Sequence, residues 1–239
     1  YMFDGFIVTQ EGRYAGIGSA HDLMAMITEM QIHAARYANP LTQLPGNVPI
    51  NERIDALLAA GTAFVAAYVD IDNFKPFNDT FGYRRGDDVI QALARQLTEI
   101  VDPRLDFVGH IGGDDFFVLF RSEDWELRCQ QLVSNFSEAM RGMVGSDECD
   151  AGGYMAESRR GEYSLQALPT LSVGAVRIEG GDCDSHREVA AAAAAAKKQA
   201  KKLSKNVPGS SQILRGGVFV ERRRVGGGGT PATLPHRLN

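Results

Sequence analysis

The sequence predicts an α/β sandwich, in which a mixed central sheet is flanked by helices. Three observations predict it. Ala63-Phe-Val-Ala-Ala-Tyr-Val69 is a near-continuous apolar run, the pattern of a central strand covered on both faces. Phe107 to His110 and Phe116 to Phe120 read as two strands joined by Ile111-Gly-Gly-Asp-Asp115, a hairpin signal that makes this pair antiparallel. The predicted order is strand, helix, hairpin, helix, strand, helix, which is not that of a doubly wound dinucleotide fold.

Taken in order, the chain opens with two short β-like runs, Gly5-Phe-Ile-Val-Thr9 and Tyr14-Ala-Gly-Ile17, linked by a turn-like Gln10-Glu-Gly-Arg13. Ser19-Ala-His-Asp22 reads as a capping box, opening a helix through about Ala38. Leu23, Met26, Ile27, Met30, Ala34 and Tyr37 fall on one face of it, an apolar stripe expected to pack against a domain or a partner helix. Asn39-Pro40 ends the helix, because the residue before a proline disfavours the α region. Prolines and glycine between Pro40 and Asn51 mark a domain boundary.

A helix is expected over about 50–60, and the strand over 63–69 follows it. Residues 86–101 carry Val89, Ile90, Leu93, Leu97 and Ile100 at helical spacing. The hairpin comes next, then a helix marked by Trp125, Cys129, Leu132, Val133, Phe136 and Met140. Residues 145–168 are polar and glycine-rich, and read as a loop or small excursion. Leu171-Ser-Val-Gly-Ala-Val-Arg-Ile178 is a strand whose interior glycine signals close backbone approach. The alanine run 190–196 continues into a lysine-rich helix ending near Lys205. Ser211 to Val220 supplies a last strand or two, and residues 221–239 read as a disordered tail.

Composition narrows the function. With 44% hydrophobic and 23% charged residues, the chain can bury an ordinary core. A net charge of −5 argues against binding nucleic acid by bulk electrostatics. No apolar run reaches the roughly 18 residues that cross a bilayer, and no secretory signal is visible at the start. Cys129, Cys149 and Cys183 lack metal-ligand spacing and are expected as free thiols in a reducing cytoplasm. The opening Tyr1-Met2 falls mid-pattern, so an excised segment of a longer protein is expected.

Two acidic clusters carry the chemistry: Asp70-Ile-Asp-Asn-Phe-Lys75 after the buried strand, and Asp114-Asp115 at the hairpin tip. Carboxylates at the end of a buried strand are costly unless they hold a cation or meet water. Mg²⁺ takes one or two carboxylates together with substrate phosphates. Gly112 and Gly113 let backbone amides approach a phosphate with no Cβ in the way. Each cluster alone is no more than an ordinary acidic turn.

Together, Val69-Asp-Ile-Asp-Asn-Phe-Lys75, Phe77-Asn-Asp-Thr-Phe-Gly-Tyr83, Gly86-Asp87 and Gly112-Gly-Asp-Asp-Phe116 resemble the GGDEF family, the diguanylate cyclases, from about Asn39 to Asn206. The resemblance implies the GGDEF fold, related to nucleotide cyclase catalytic domains. It implies that Asp70, the Ile71 carbonyl and Asp115 hold Mg²⁺ (or Mn²⁺), with Asp114 and Asp115 catalytic. Asn78 and Asp87 would read the guanine edge, an amide and a carboxylate suiting its donors and acceptors. Lys75, Lys201 and Lys205 would contact phosphate, beside Gly112 and Gly113, whereas Lys197, Lys198 and Lys202 read as a solvated helix face. The implied reaction joins two GTP into cyclic di-GMP across a homodimer in the cytoplasm.

Four departures stand out. Asp115 replaces the family's glutamate, one methylene longer; His110-Ile111 replaces its arginine or lysine before the glycines. Asn39-Pro-Leu-Thr-Gln-Leu-Pro-Gly-Asn47 lacks the aspartate and arginine of its lead-in motif, and Pro103 stands at the arginine of its inhibitory site, where Asp106 is retained. This variant is similar to GGDEF domains carried with EAL and CBS domains, and residues 1–38 resemble the closing half of a CBS module plus a connector helix. The alternative function is a catalytically degenerate GTP-binding domain that controls a linked EAL phosphodiesterase. The three expected parts are 1–38, the GGDEF domain at 39–220 and the tail at 221–239.

Overall fold

The structure is a computed structural model that describes residues 5–145, 153–157, 163–205 and 217–222. It divides into two compact units, Tyr1–Ala38 and Asn39–Asn239. In the first, β1 (Gly5–Gln10) and β2 (Arg13–Ser19) pair antiparallel and lead into α1 (Ala20–Tyr37). The Ser19 hydroxyl accepts from the Asp22 amide, and the Asp22 carboxylate accepts from the Ser19 amide, closing the capping box. No residue of α1 is buried, so the apolar stripe has no cover among the described residues.

The second unit runs α2 (Asn47–Ala59), β3 (Phe64–Asp72), α3 (Phe74–Phe81), α4 (Tyr83–Ile100), β4 (Phe107–Gly112), β5 (Asp115–Phe120) and α5 (Trp125–Met143). It continues through β6 (Gly153–Glu157), β7 (Tyr163–Ala167), β8 (Thr170–Ile178), α6 (His186–Lys205) and β9 (Gly217–Arg222). The main sheet has the order β4-β5-β3-β8-β9, antiparallel except for the parallel pair β8–β9. This is the expected mixed sheet. Alternate residues of β3 point to its two faces: Val65, Ala67, Val69 and Ile71 join α4 and α5 in one core, and Phe64 and Ala66 join α2 and α6 in the other.

The structure adds α3, which the sequence reading left out. Phe74, Phe77 and Phe81 stand at helical spacing, but Pro76 and the shortness of the run hide it; in a first turn proline removes no intrahelical bond. Likewise α2 begins at Asn47, ahead of the expected 50, because Pro49 falls in its first turn. The polar stretch 145–168 contains a paired hairpin, β6–β7, in its described parts. The final strand reaches Arg222, one residue past the expected start of the tail; Cys149, residues 211–216 and residues 223–239 lie outside the described residues.

The seating of α6 positions the site. A Cβ built on Gly174 would lie 2.0 Å from the Lys197 backbone nitrogen. Helix and strand therefore touch backbone to backbone, and Ala192, Ala193, Ala196 and Ala200 form the small buried face that permits it.

Candidate active site

The site begins with the register of three strands. Asp70 stands opposite Asp115 on β5 and opposite Ser172 on β8. Strand alternation puts Tyr68, Asp70 and Asp72 on one face of β3. Asp70 is only 4% exposed, so its charge needs partners. It has two. Lys197 Nζ lies 3.1 Å from Asp70 Oδ2 and 2.9 Å from Asp115 Oδ1, while Lys201 Nζ contacts Asp70 Oδ1. Lys197 Nζ also sits 4.0 Å from the centroid of the Tyr68 ring, a cation–π position. Asp72, two residues on, accepts from the Ser172 hydroxyl at 2.6 Å.

Burial pushes the Asp70 carboxyl up to about 6, with Lys201 and Lys197 pulling the other way. For Asp115 burial also pushes upward, but the hydrogen bonds from Lys197 and Asp70 prevail and hold it below the usual carboxylate range. Lys197 is raised: burial opposes its charge, and the two carboxylates outweigh burial. Burial and then Asp115 raise the Tyr68 phenol.

The hairpin tip carries Gly112 and Gly113 at φ 150° and 60°, conformations that favour glycine. Gly112 pairs with Asp115, leaving Gly113-Asp114 as a two-residue turn. His110 fastens it. Its Nε2 donates to the Gly113 carbonyl at 3.0 Å, and because a carbonyl only accepts, Nε2 holds the proton and Nδ1 accepts from the Thr42 hydroxyl at 2.9 Å. The ring stacks on Phe116 with centroids 4.1 Å apart. Burial lowers the pKa of His110, in keeping with this neutral tautomer, and burial raises that of Asp114.

A second cluster forms where α3 meets α4. Asn78 Oδ1 is buried and has no hydrogen-bond partner among the described residues. It lies against Gly86, where a Cβ would come within 1.8 Å of it, and Asp87 follows as an exposed carboxylate. A buried amide left unpaired is costly unless a ligand completes it. Lys75 on α3 is exposed, and the Ile71 side chain is buried in the core. Lys205 ends α6, and its side chain lies outside the described residues.

The structure thus brings Asp70, Asp115 and Lys201 together, and Asn78 with Gly86 and Asp87. It corrects one reading of the sequence: Lys197 is no solvated face but the bridge between the two carboxylates. The available signal was its place four residues before Lys201, on the same helix face. Tyr68, two residues before Asp70 on the same strand face, and His110 with Thr42 were also missed as parts of the site. Asp106 is a structural staple: its oxygens accept from the amides of Asp102, Arg121 and Ser122 and from the Ser122 hydroxyl.

The donor set suits a divalent ion of the hard class, since Asp70 and Asp115 offer adjacent carboxylates. No group of three or more His, Cys, Asp or Glu that could hold a metal stands among the described residues. An ion here would depend on oxygens brought by a ligand.

The family profile described as diguanylate cyclase, GGDEF domain, matches residues 37–207. The chain belongs to this family. Its GGDEF region is 35% identical over 98 residues to diguanylate cyclase DgcP of Pseudomonas aeruginosa, covering 39% of this chain and 14% of that protein. It is 29% identical over 142 residues to the probable diguanylate cyclase DgcT of Escherichia coli, covering 59% and 28%. The match thus spans less than a third of either relative's length. Among solved structures, the fold is similar to diguanylate cyclase SiaD of Pseudomonas aeruginosa, in complex with its activator SiaC, at 24% identity and TM-score 0.55, covering 77% of this chain and 65% of that one. The GGDEF domain of DgcB from Caulobacter crescentus, in complex with c-di-GMP, gives 24% identity and TM-score 0.51 over 77% of this chain and 93% of that one. No helix among the described residues is long and apolar enough to cross a membrane.

Proposed function

We propose that this GGDEF domain binds GTP with a divalent cation, Mg²⁺ or Mn²⁺, and that two such domains facing each other condense two GTP into cyclic di-GMP. The observation that carries the reading is Asn78 Oδ1, buried without a hydrogen-bond partner among the described residues and set against Gly86, which exposed Asp87 follows in the chain. Guanine offers the N–H donors that both oxygens lack, and adenine reverses the pattern at that edge. Asp70, the Ile71 carbonyl and Asp115 hold the ion, which would neutralise charge developing on the phosphates. Gly112 and Gly113 give their amides to phosphate, and Lys75, Lys201 and Lys205 supply cations. Asp114, whose pKa is raised by burial, would take the proton of the attacking 3′-hydroxyl. In each half-reaction that oxygen bonds to the α-phosphorus of the other GTP and pyrophosphate leaves.

The short Asp115 carboxylate, already engaged by Lys197, favours a second reading: GTP binding that controls a linked EAL domain, with little turnover. Residues 1–38 would then be the end of a CBS-like module and its connector helix. Both readings set the domain in the cytoplasm, where GTP is.

The test is nucleotide preference. With Mg²⁺, GTP should bind at least tenfold tighter than ATP, and Asn78→Ala and Asp87→Ala should each erode that ratio, since unpaired buried groups discriminate strongly. Equal affinities in the parent chain would refute the guanine site.

A further inference from the structure

The carboxylate pair is not waiting bare for an ion: the chain brings a cation of its own. Lys197 is held there in three separate ways. Its backbone is seated against Gly174, so the base of the side chain cannot drift. Its ammonium lies between Asp70 Oδ2 and Asp115 Oδ1, at 3.1 and 2.9 Å. The same ammonium faces the Tyr68 ring at 4.0 Å. The side chain is 19% exposed, so screening by water is reduced.

Lys201 adds a second positive charge on Asp70 Oδ1. Two ammonium groups offset the charges of Asp70 and Asp115, where two bare carboxylates would attract a divalent ion. A divalent ion held by this pair would draw on the two carboxylates that Lys197 already bridges. We propose that Lys197 is a built-in competitor of the divalent cation: the ion enters only by displacing the ammonium from Asp70 and Asp115, so this residue sets the metal affinity of the site.

The proposal rests on the metal reading of the strand ends given above, and it adds a consequence. Nucleotide-free protein should hold divalent ions weakly, with tight binding appearing when a ligand's phosphates supply further oxygens. Lys201 contacts Asp70 and makes no ion pair with Asp115 among the described residues, so it does not bridge the two carboxylates as Lys197 does.

The experiment measures Mn²⁺ binding to the nucleotide-free full chain by electron paramagnetic resonance, for the parent and for Lys197→Met. Methionine keeps the stem of the side chain and removes its charge. Affinity is expected to rise by about threefold or more in K197M, the direction that follows from removing a competitor linked to the ion; a smaller gain overturns the proposal. Asp70→Asn placed in the K197M background should cancel the gain. A gain that survives Asp70→Asn puts the ion elsewhere, and overturns the metal reading along with the proposal.

A second measurement avoids any substitution. In the parent chain, acetylation of Lys197 read by mass spectrometry should rise as Mg²⁺ is added, while that of exposed Lys198 stays constant. A flat Lys197 signal at Mg²⁺ concentrations that saturate the site overturns the proposal.

Discussion

Gly174→Ala tests whether the seating of α6 on β8 builds the site. The new methyl carbon would stand 2.0 Å from the Lys197 nitrogen and 2.4 Å from the Ala196 carbonyl carbon and the Lys197 Cα. All three are backbone atoms, so no side chain can turn aside. Restoring an ordinary contact of about 3.4 Å moves the helix outward by about 1.4 Å. Overpacking of this kind costs about 1–3 kcal/mol. For a domain of roughly two hundred residues that lowers the melting temperature by about 2–12 °C, which calorimetry or circular dichroism resolves. The same outward shift would carry Lys197 from hydrogen-bonding distance of Asp70 and Asp115 to beyond 4 Å, since those bonds now measure 3.1 and 2.9 Å. Labelling of the Lys197 amine should therefore rise in parallel with the loss of stability. A variant that melts within about 1 °C of the parent, with Lys197 labelled no faster, would refute the argument that backbone contact at Gly174 places this lysine.

Asp115→Glu placed in the Lys197→Met background should raise cyclic di-GMP formation by about tenfold or more over Lys197→Met alone while changing GTP affinity little, because a reach restored by about 1 Å matters most as charge develops on the α-phosphate; unchanged or lower turnover, measured as product per domain, would count against the short-carboxylate reading. His110 gives a pH signature. Its folded pKa lies below its ordinary value because the ring is buried, so the unfolded chain binds the extra proton first, and stability falls as pH drops through the ordinary histidine range near 6.5. Asp70, raised to about 6, works in the opposite direction, gaining stability on acidification. His110→Gln should thus remove the histidine's share and leave melting temperature less sensitive to acid between about pH 7 and 5.5. A slope equal to the parent's would show that burial does not hold His110 neutral.

The sheet was legible because its strands announce themselves. The apolar run at Phe64–Val69 and the glycine of Gly174 follow directly from burial on both faces and from close helix approach. The paired carboxylates were legible too, since Asp70 follows the apolar run of β3 and Asp115 lies at the tip of the β4–β5 hairpin signal. What escaped was the partner of those carboxylates. Lys197 sits in an alanine and lysine run whose charge pattern fits a solvated helix, and only the depth at which α6 lies on β8 separates Lys197 from exposed Lys198. Depth is tertiary information, absent from helical periodicity. His110 was noticed for what it replaces, and its work depends on Thr42, sixty-eight residues earlier in sequence. The run Phe74–Phe81 was lost to a proline whose position in the first turn makes it harmless.

Asp115 and Lys197 belong to one arrangement. Asp115 is a methylene shorter than the glutamate it replaces, and its carboxylate stands back along the strand end. Lys197 Nζ occupies the space in front of it, 2.9 Å from Asp115 Oδ1 and shared with Asp70. A glutamate at 115 would advance by roughly the length of one carbon–carbon bond, about 1.5 Å, into that ammonium. The short acid and the lysine are thus coupled: Lys197 takes the space in front of Asp115 and offsets its buried charge. Groups that share one space in this way do not act additively. Restoring the glutamate while Lys197 remains must first push the lysine aside, and removing the lysine alone leaves a carboxylate that is still set back. The proposed metal site is therefore expected to answer to the pair, Asp115 with Lys197, rather than to either residue alone.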